Sequence, residues 1–130
     1  MEIEITIADA VKALGVTNFS LSGDPTSEAE FLEMYSHVIG EDEFGSAILE
    51  TDNSKWPVTW AAVKAKYDEL VAAKPMQELR EERNRRLAET DWWAVADRTM
   101  TDEQRQYRTS LRDITNSATS LDDVTWPTKP

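Results

Sequence analysis

A proline stands at position 75, in the middle of the longest helix-forming stretch of the chain, in "AAKPMQ". Inside a helix, proline removes a backbone hydrogen bond and crowds the preceding turn, so the sequence predicts a long helix broken near Pro75. The composition changes at the same place. Residues 1–74 carry 14 acidic and 5 basic side chains, a net of −9; residues 75–130 carry 11 and 9, a net of −2. All eight arginines follow Pro75, and every lysine but Lys129 precedes it. The expected class is α+β, in three parts: a small strand-and-helix head over 1–57, a connecting helix over 58–74, and a helical hairpin with an extended tail over 75–130. A chain of 130 residues buries roughly two-thirds of its unfolded surface, enough for a core without staples.

In the head, Ile3, Ile5 and Ile7 alternate as a strand would, and Thr6 can cap a helix that ends at Gly15. Phe19 and Leu21 share one face of a second strand, closed by the turn residues Gly23, Asp24 and Pro25. Ser27 with Glu30 reads as a capping box, opening a helix whose apolar face is Phe31, Tyr35 and Val38, flanked by Leu32 and Ile39 and stopped at Gly40. A short strand is expected around Ala47 to Leu49. Thr59 then caps a helix with Trp60, Val63, Tyr67, Leu70 and Val71 on one face.

After Pro75 the apolar stripe is thin, with Met76, Leu79 and Leu87 alone before a tryptophan pair. Such a stripe suits a hairpin arm or an interface helix. Thr101, with Gln104 three residues on, caps the last helix, where Tyr107, Leu111 and Ile114 recur at helical spacing. Arg105, Arg108 and Arg112 form a basic stripe beside them, with Glu78, Glu81 and Glu82 placed to face it across an antiparallel hairpin. From Asn116 the chain is expected to be extended up to Pro130.

Several chemistries lack their residues. There is no cysteine, which removes disulfides, thiolate metal sites and cysteine nucleophiles. His37 is the single histidine and reads as a solvated or capping residue at a helix end. The acidic loop "GEDEFGSAILETDN" misses the calcium-loop spacing, because Gly40 holds the place of the first acid. No phosphate-cradling, dinucleotide or nucleophile-elbow motif is present. The expectation is no enzyme activity, no cofactor and no metal. The net charge of −11 argues against nucleic acid. The arginines of "RNRR" are interleaved with glutamates and read as pairs along one helix. No apolar run reaches the length of a membrane span, and "MEIEITIADA" lacks the features of a secretory signal, so a soluble, cytoplasmic protein is expected.

Five tryptophans remain to be placed. Trp56 and Trp60 flank Pro57 at a helix start and read as core. Trp92 and Trp93 are adjacent, about 100° apart on a helix, so one should seal the hairpin while the other looks outward. Trp126, with Pro127, packs either on its own hairpin near Trp92 and Tyr107 or on a partner.

The C-terminal motifs carry a resemblance. "RNRRLAETDWW" supplies Arg83-Asn84, Leu87 and Asp91-Trp92; Asp97 precedes a capped helix with Tyr107-Arg108 and Leu111-Arg112-Asp113-Ile114; the tail supplies Trp126, Pro127 and Pro130. In this order and spacing, residues 75–130 resemble the C-terminal module of phage tail assembly chaperone proteins, and the related tail-fibre assembly proteins share the Tyr-Arg helix and the Trp-Pro ending. The head is similar in character to small proteins of cyanobacterial phages and has no motif of its own. The resemblance implies help in assembling or attaching tail fibres, and brings no catalytic residue. The residues expected to bind a fibre subunit or other tail protein are Trp92, Trp93, Tyr107, Arg108, Leu111, Arg112, Trp126 and Pro127. A narrow apolar hairpin is also compatible with a homo-oligomer. The expected location is the host cytoplasm during assembly, or the virion tail for a chain that stays bound. Two rivals share these features: a structural component of the fibre, and a phage binder of a host protein.

Overall fold

The computed structural model describes residues 4–130. Its elements run α1 (Ile7–Ala13), β1 (Phe19–Leu21), α2 (Glu28–Met34), β2 (Tyr35–Glu41), β3 (Ala47–Leu49), α3 (Trp60–Ala88) and α4 (Asp102–Arg112), with short 3-10 turns at Asn53–Lys55, Asp91–Ala94 and Ile114–Asn116. This is an α+β chain with a three-stranded antiparallel sheet in the order β1-β2-β3. The described residues divide into two compact units, Glu4–Ala72 and Ala73–Pro130.

In the first unit, the polar residues at the helix starts act as the sequence predicts. Thr6 caps α1 in a reciprocal box with Asp9, and Asp24 Oδ1 accepts from the Ile7 N–H at 2.9 Å. The helix ends in a Schellman motif: the Val16 N–H reaches Val11 O and the Gly15 N–H reaches Lys12 O. Gly15, at φ +90°, supplies the left-handed residue this ending requires. Residues 4–6 form no strand, and Ile3 lies outside the described residues. Ile7, the last residue of the expected strand, is instead the first residue of α1.

Two further expectations are corrected. Ser27 Oγ does accept from the Glu30 N–H, but the Glu30 carboxylate turns to Thr26, accepting from its N–H and hydroxyl. The box is therefore split over two residues. The helix opened by Ser27 stops at Met34, six residues before Gly40, and Tyr35–Glu41 is strand β2. Tyr35, Val38 and Ile39 fit a helical face, but β-branched and aromatic residues also suit a pleated surface. Pairing decides between them. Leu21 lies opposite Tyr35 and Phe19 opposite His37 on one edge, while Leu49 lies opposite Val38 on the other.

That choice builds the core. Phe19 and Tyr35 stack with ring centroids 5.8 Å apart, Phe31 lies 5.1 Å from Tyr35, and Trp56 lies 4.7 Å from Tyr35. The Trp56 indole N–H donates to Glu50 O at 2.8 Å, so its polar edge is satisfied. Ile7, Val11, Val16, Val58 and Val63 complete the cluster, with Trp60, Tyr67 and Leu70 against it. Burial pushes the Tyr35 phenol above its ordinary pKa. His37 belongs to β2, its ring stacked on Tyr35 and its Nδ1 3.2 Å from the Tyr35 hydroxyl.

Helix α3 also departs from expectation: it continues through Pro75 as one element of 29 residues. The N–H that would reach Val71 O is absent, at a usual cost of about 3 kcal/mol inside a helix. Good helix formers flank the proline on both sides, and each half of the helix buries a side chain completely, Val63 before it and Leu79 after it. Burial in both directions holds a helix that local preference would end.

Candidate functional site

The Ala73–Pro130 unit folds the second part of α3 back onto α4. Arg83 donates to Arg112 O at 3.2 Å and Arg108 to Leu87 O at 2.9 Å. Because 83 pairs with 112 and 87 with 108, the two helices run antiparallel. Thr101 and Gln104 form a reciprocal capping box at the start of α4. Tyr107 and Leu111, one turn apart, join Trp93 as the buried cluster, with Leu87, Met100 and Trp126 packed against it. The Trp93 and Tyr107 rings are 6.0 Å apart.

Arg108 is the polar centre of this unit. It is buried, and its guanidinium binds Leu87 O, Thr90 Oγ1 at 2.7 Å and Asp91 Oδ1 at 3.0 Å. Leu87 O is one of the last carbonyls of α3, which no turn of the same helix can satisfy. It also accepts from the Thr90 N–H and hydroxyl. Arg108 therefore closes the end of α3 from the neighbouring helix, with a positive charge placed where the helix dipole favours one. The cost is visible: Arg108 Nε is buried with no hydrogen-bond partner.

The tryptophan pair divides as expected. Trp93 is buried, while Trp92 is 54% exposed, with Val95 beside it at 47%. The two indoles form an edge contact at 6.2 Å, and the Arg98 guanidinium lies over Trp92, 4.4 Å from the ring centre. Trp126 comes back to its own hairpin, half-buried against the Trp93–Tyr107–Leu111 cluster, with the Arg86 guanidinium 4.1 Å over its ring. The chain after Asn116 is not uniformly extended. Asp123 accepts from the backbone of Thr119 and Ser120 and from the Thr119 hydroxyl, which folds 119–123 into a turn. The Ser120 backbone bond is the largest cause holding the Asp123 carboxyl below its usual range. The run 124–130 is without regular structure.

The eight residues singled out from the sequence thus fall into two groups. Trp93, Tyr107, Arg108 and Leu111 are buried and build the hairpin; Trp92 and Arg112 are exposed, and Trp126 and Pro127 are half-buried. Glu82 pairs within its own helix, with Arg85 and Arg86, and not with the basic stripe. Gln77 donates to Glu81, and Arg105 binds Asp102. The Arg85 hydrogen bond, then that of Arg86, holds the Glu82 carboxyl down at about 2 against burial. Sequence reasoning missed Thr90, which closes the Arg108 network, and the guanidinium partners Arg86 and Arg98. Thr90 carried a signal in its position, just past a helix end and just before Asp91.

Among the described residues no group of three or more His, Asp or Glu side chains is placed to hold a metal ion, and no helix is long and apolar enough to cross a membrane. No curated protein and no solved structure matches the chain. Residues 76–130, nearly the whole of the arginine-anchored unit, match the family model of the phage tail assembly chaperone protein, the family that the C-terminal motifs resemble.

Proposed function

We propose that this chain is a non-enzymatic phage tail assembly chaperone that holds a tail fibre subunit, or another tail protein, through the exposed aromatic side of its C-terminal hairpin. The match over 76–130 supports the tail-assembly role. The observation that carries the finer reading is the split tryptophan pair. Trp93 is fixed in the core while Trp92 and Val95 stay in solvent, a rigid apolar contact of the type that anchors protein interfaces. Trp92, Trp126, Pro127 and Arg112 face the partner in this reading, and Trp93, Tyr107, Arg108 and Leu111 hold them in position. A fibre subunit exposes apolar surface and strand edges before it assembles, a state prone to aggregate. Transient cover of that surface, in the host cytoplasm, is the proposed work.

Co-expression with the fibre protein tests it. Soluble fibre should depend on this chain and fall with Trp92→Ala, a variant that leaves the hairpin folded. Fibre that assembles equally without the chain refutes the proposal. A chain found by mass spectrometry in purified particles would assign it to the virion instead.

A further inference from the structure

The β2–β3 hairpin of the Glu4–Ala72 unit leaves one strand edge open. β3 is the last strand in the order β1-β2-β3, and among the described residues β2 is its only neighbour. The Glu50 N–H donates to His37 O and the Asp42 N–H to Ser46 O, both at 2.9 Å. Leu49 opposite Val38 and Ala47 opposite Glu41 are therefore the non-hydrogen-bonded positions of this ladder. Their own N–H and C=O groups point away from β2, at an exposed edge.

Edges of this kind are commonly blunted by a lysine, a proline or an inward charge. Ala47–Leu49 has none of these. Ile48 and Leu49 are 43% and 45% exposed, and Phe44 at the hairpin tip is 84% exposed. The tip itself is well built: Asp42 Oδ1 accepts from the N–H groups of Phe44 and Ser46, and Gly45 takes φ +80°. Phe44 is thus held out on an ordered turn. The flanks decide the occupant. Glu41, Asp42 and Glu43 lie at one end of β3 and Glu50 and Asp52 at the other. A second copy paired edge to edge would bring carboxylates against carboxylates, whereas lysine or arginine beside a strand would meet them favourably.

We propose that β3 is a docking edge that takes an extended segment of another protein, apolar at alternate positions and flanked by lysine or arginine, by strand addition. The backbones of Ala47 and Leu49 bind it, Phe44 and Ile48 supply apolar contact, and the carboxylates select its ends. This edge belongs to the unit that the tail-chaperone match does not cover, and it is tested without any tail protein.

The probe is a fluorescein-labelled peptide of alternating valine and threonine with two lysines at each end, titrated into the full chain by fluorescence anisotropy. Binding should weaken at least about tenfold when glutamates replace the lysines, and again in Ala47→Pro, which removes an outward N–H while leaving the bonds to β2. The same peptide N-methylated along one edge should also lose about tenfold, a control that leaves the protein unaltered. In hydrogen exchange, the peptide should slow the Ala47 and Leu49 amides. The proposal is overturned by glutamate-flanked peptide binding as well as the lysine form, by indifference to N-methylation, or by an edge already closed in a dimer that Ala47→Pro dissolves.

Discussion

The two compact units are stabilised by different means. Residues 4–72 carry 13 acidic and 4 basic side chains, a net of −9, around a core of interlocked aromatic rings. Residues 73–130 carry 11 and 10, a net of −1, around a smaller buried cluster. There, arginines do what further apolar side chains do in the first unit. Arg108 closes a helix end, and Arg86 and Arg98 cover indole rings. The first unit tolerates a large net charge because its stability rests on burial, which is non-directional. The second depends on guanidinium geometry, which lysine cannot reproduce. The motif residues recognised in the sequence are consequently scaffold in good part, and the exposed contacts sit on top of them.

Core truncation should break one unit at a time. Phe31→Ala and Trp93→Ala should each cost about 3–5 kcal/mol, each confined to its own unit when read by hydrogen exchange. Loss of protection across both units from either variant would show that they unfold together. Arg108→Ala should cost about 2–4 kcal/mol, since it removes the buried guanidinium that joins Leu87 O, Thr90 Oγ1 and Asp91 and leaves a void in its place. Arg108→Lys should recover little of this in thermal unfolding, and full recovery would reduce the residue to a plain positive charge. Pro75→Ala should stabilise the helix by about 1–3 kcal/mol, visible as a higher denaturation midpoint.

The smallest effects come from titration, with opposite signs in the two units. Glu82 is held at about 2 against an ordinary 4.5, so its stabilising contribution is complete above 4.5 and is lost as pH falls through 2. Its exposed pairs limit that to about 0.5 kcal/mol each. Tyr35 is raised by burial, so its contribution is present below its unfolded pKa near 10 and is lost as pH climbs through the folded value. Acid should therefore loosen the arginine-anchored unit slightly and strong base the aromatic one. Glu82→Gln should remove the first dependence in an acid titration.

Helix starts were the most legible parts of the fold, because a cap is a local event. Thr6, Ser27, Thr59 and Thr101 each accept from the backbone just downstream, as their positions predict. Strand β2 reads as helix in the sequence because Tyr35, Val38 and Ile39 fall at helical spacing, while their aromatic and β-branched side chains suit a strand equally well, and only partners distant in sequence choose between the two. The continuity of α3 through Pro75 was hidden for the same reason: burial of Val63 and Leu79 is a tertiary fact. In the candidate site, the division of Trp92 from Trp93 follows from adjacency alone. The capping role of Arg108 does not, because its acceptor lies 21 residues away at Leu87.

The edge contact of Trp92 with Trp93, at 6.2 Å and an interplanar angle of 70°, has an optical consequence. Two indoles this close couple their excited states, so their ultraviolet circular dichroism should split into a pair of bands of opposite sign. The amplitude varies with separation and twist. One ring is fixed in the core and the other is half-exposed beside the Arg98 guanidinium, so a contact that turns Trp92 should change the spectrum. If a partner docks on this hairpin as proposed, the tryptophan pair would report it without a label.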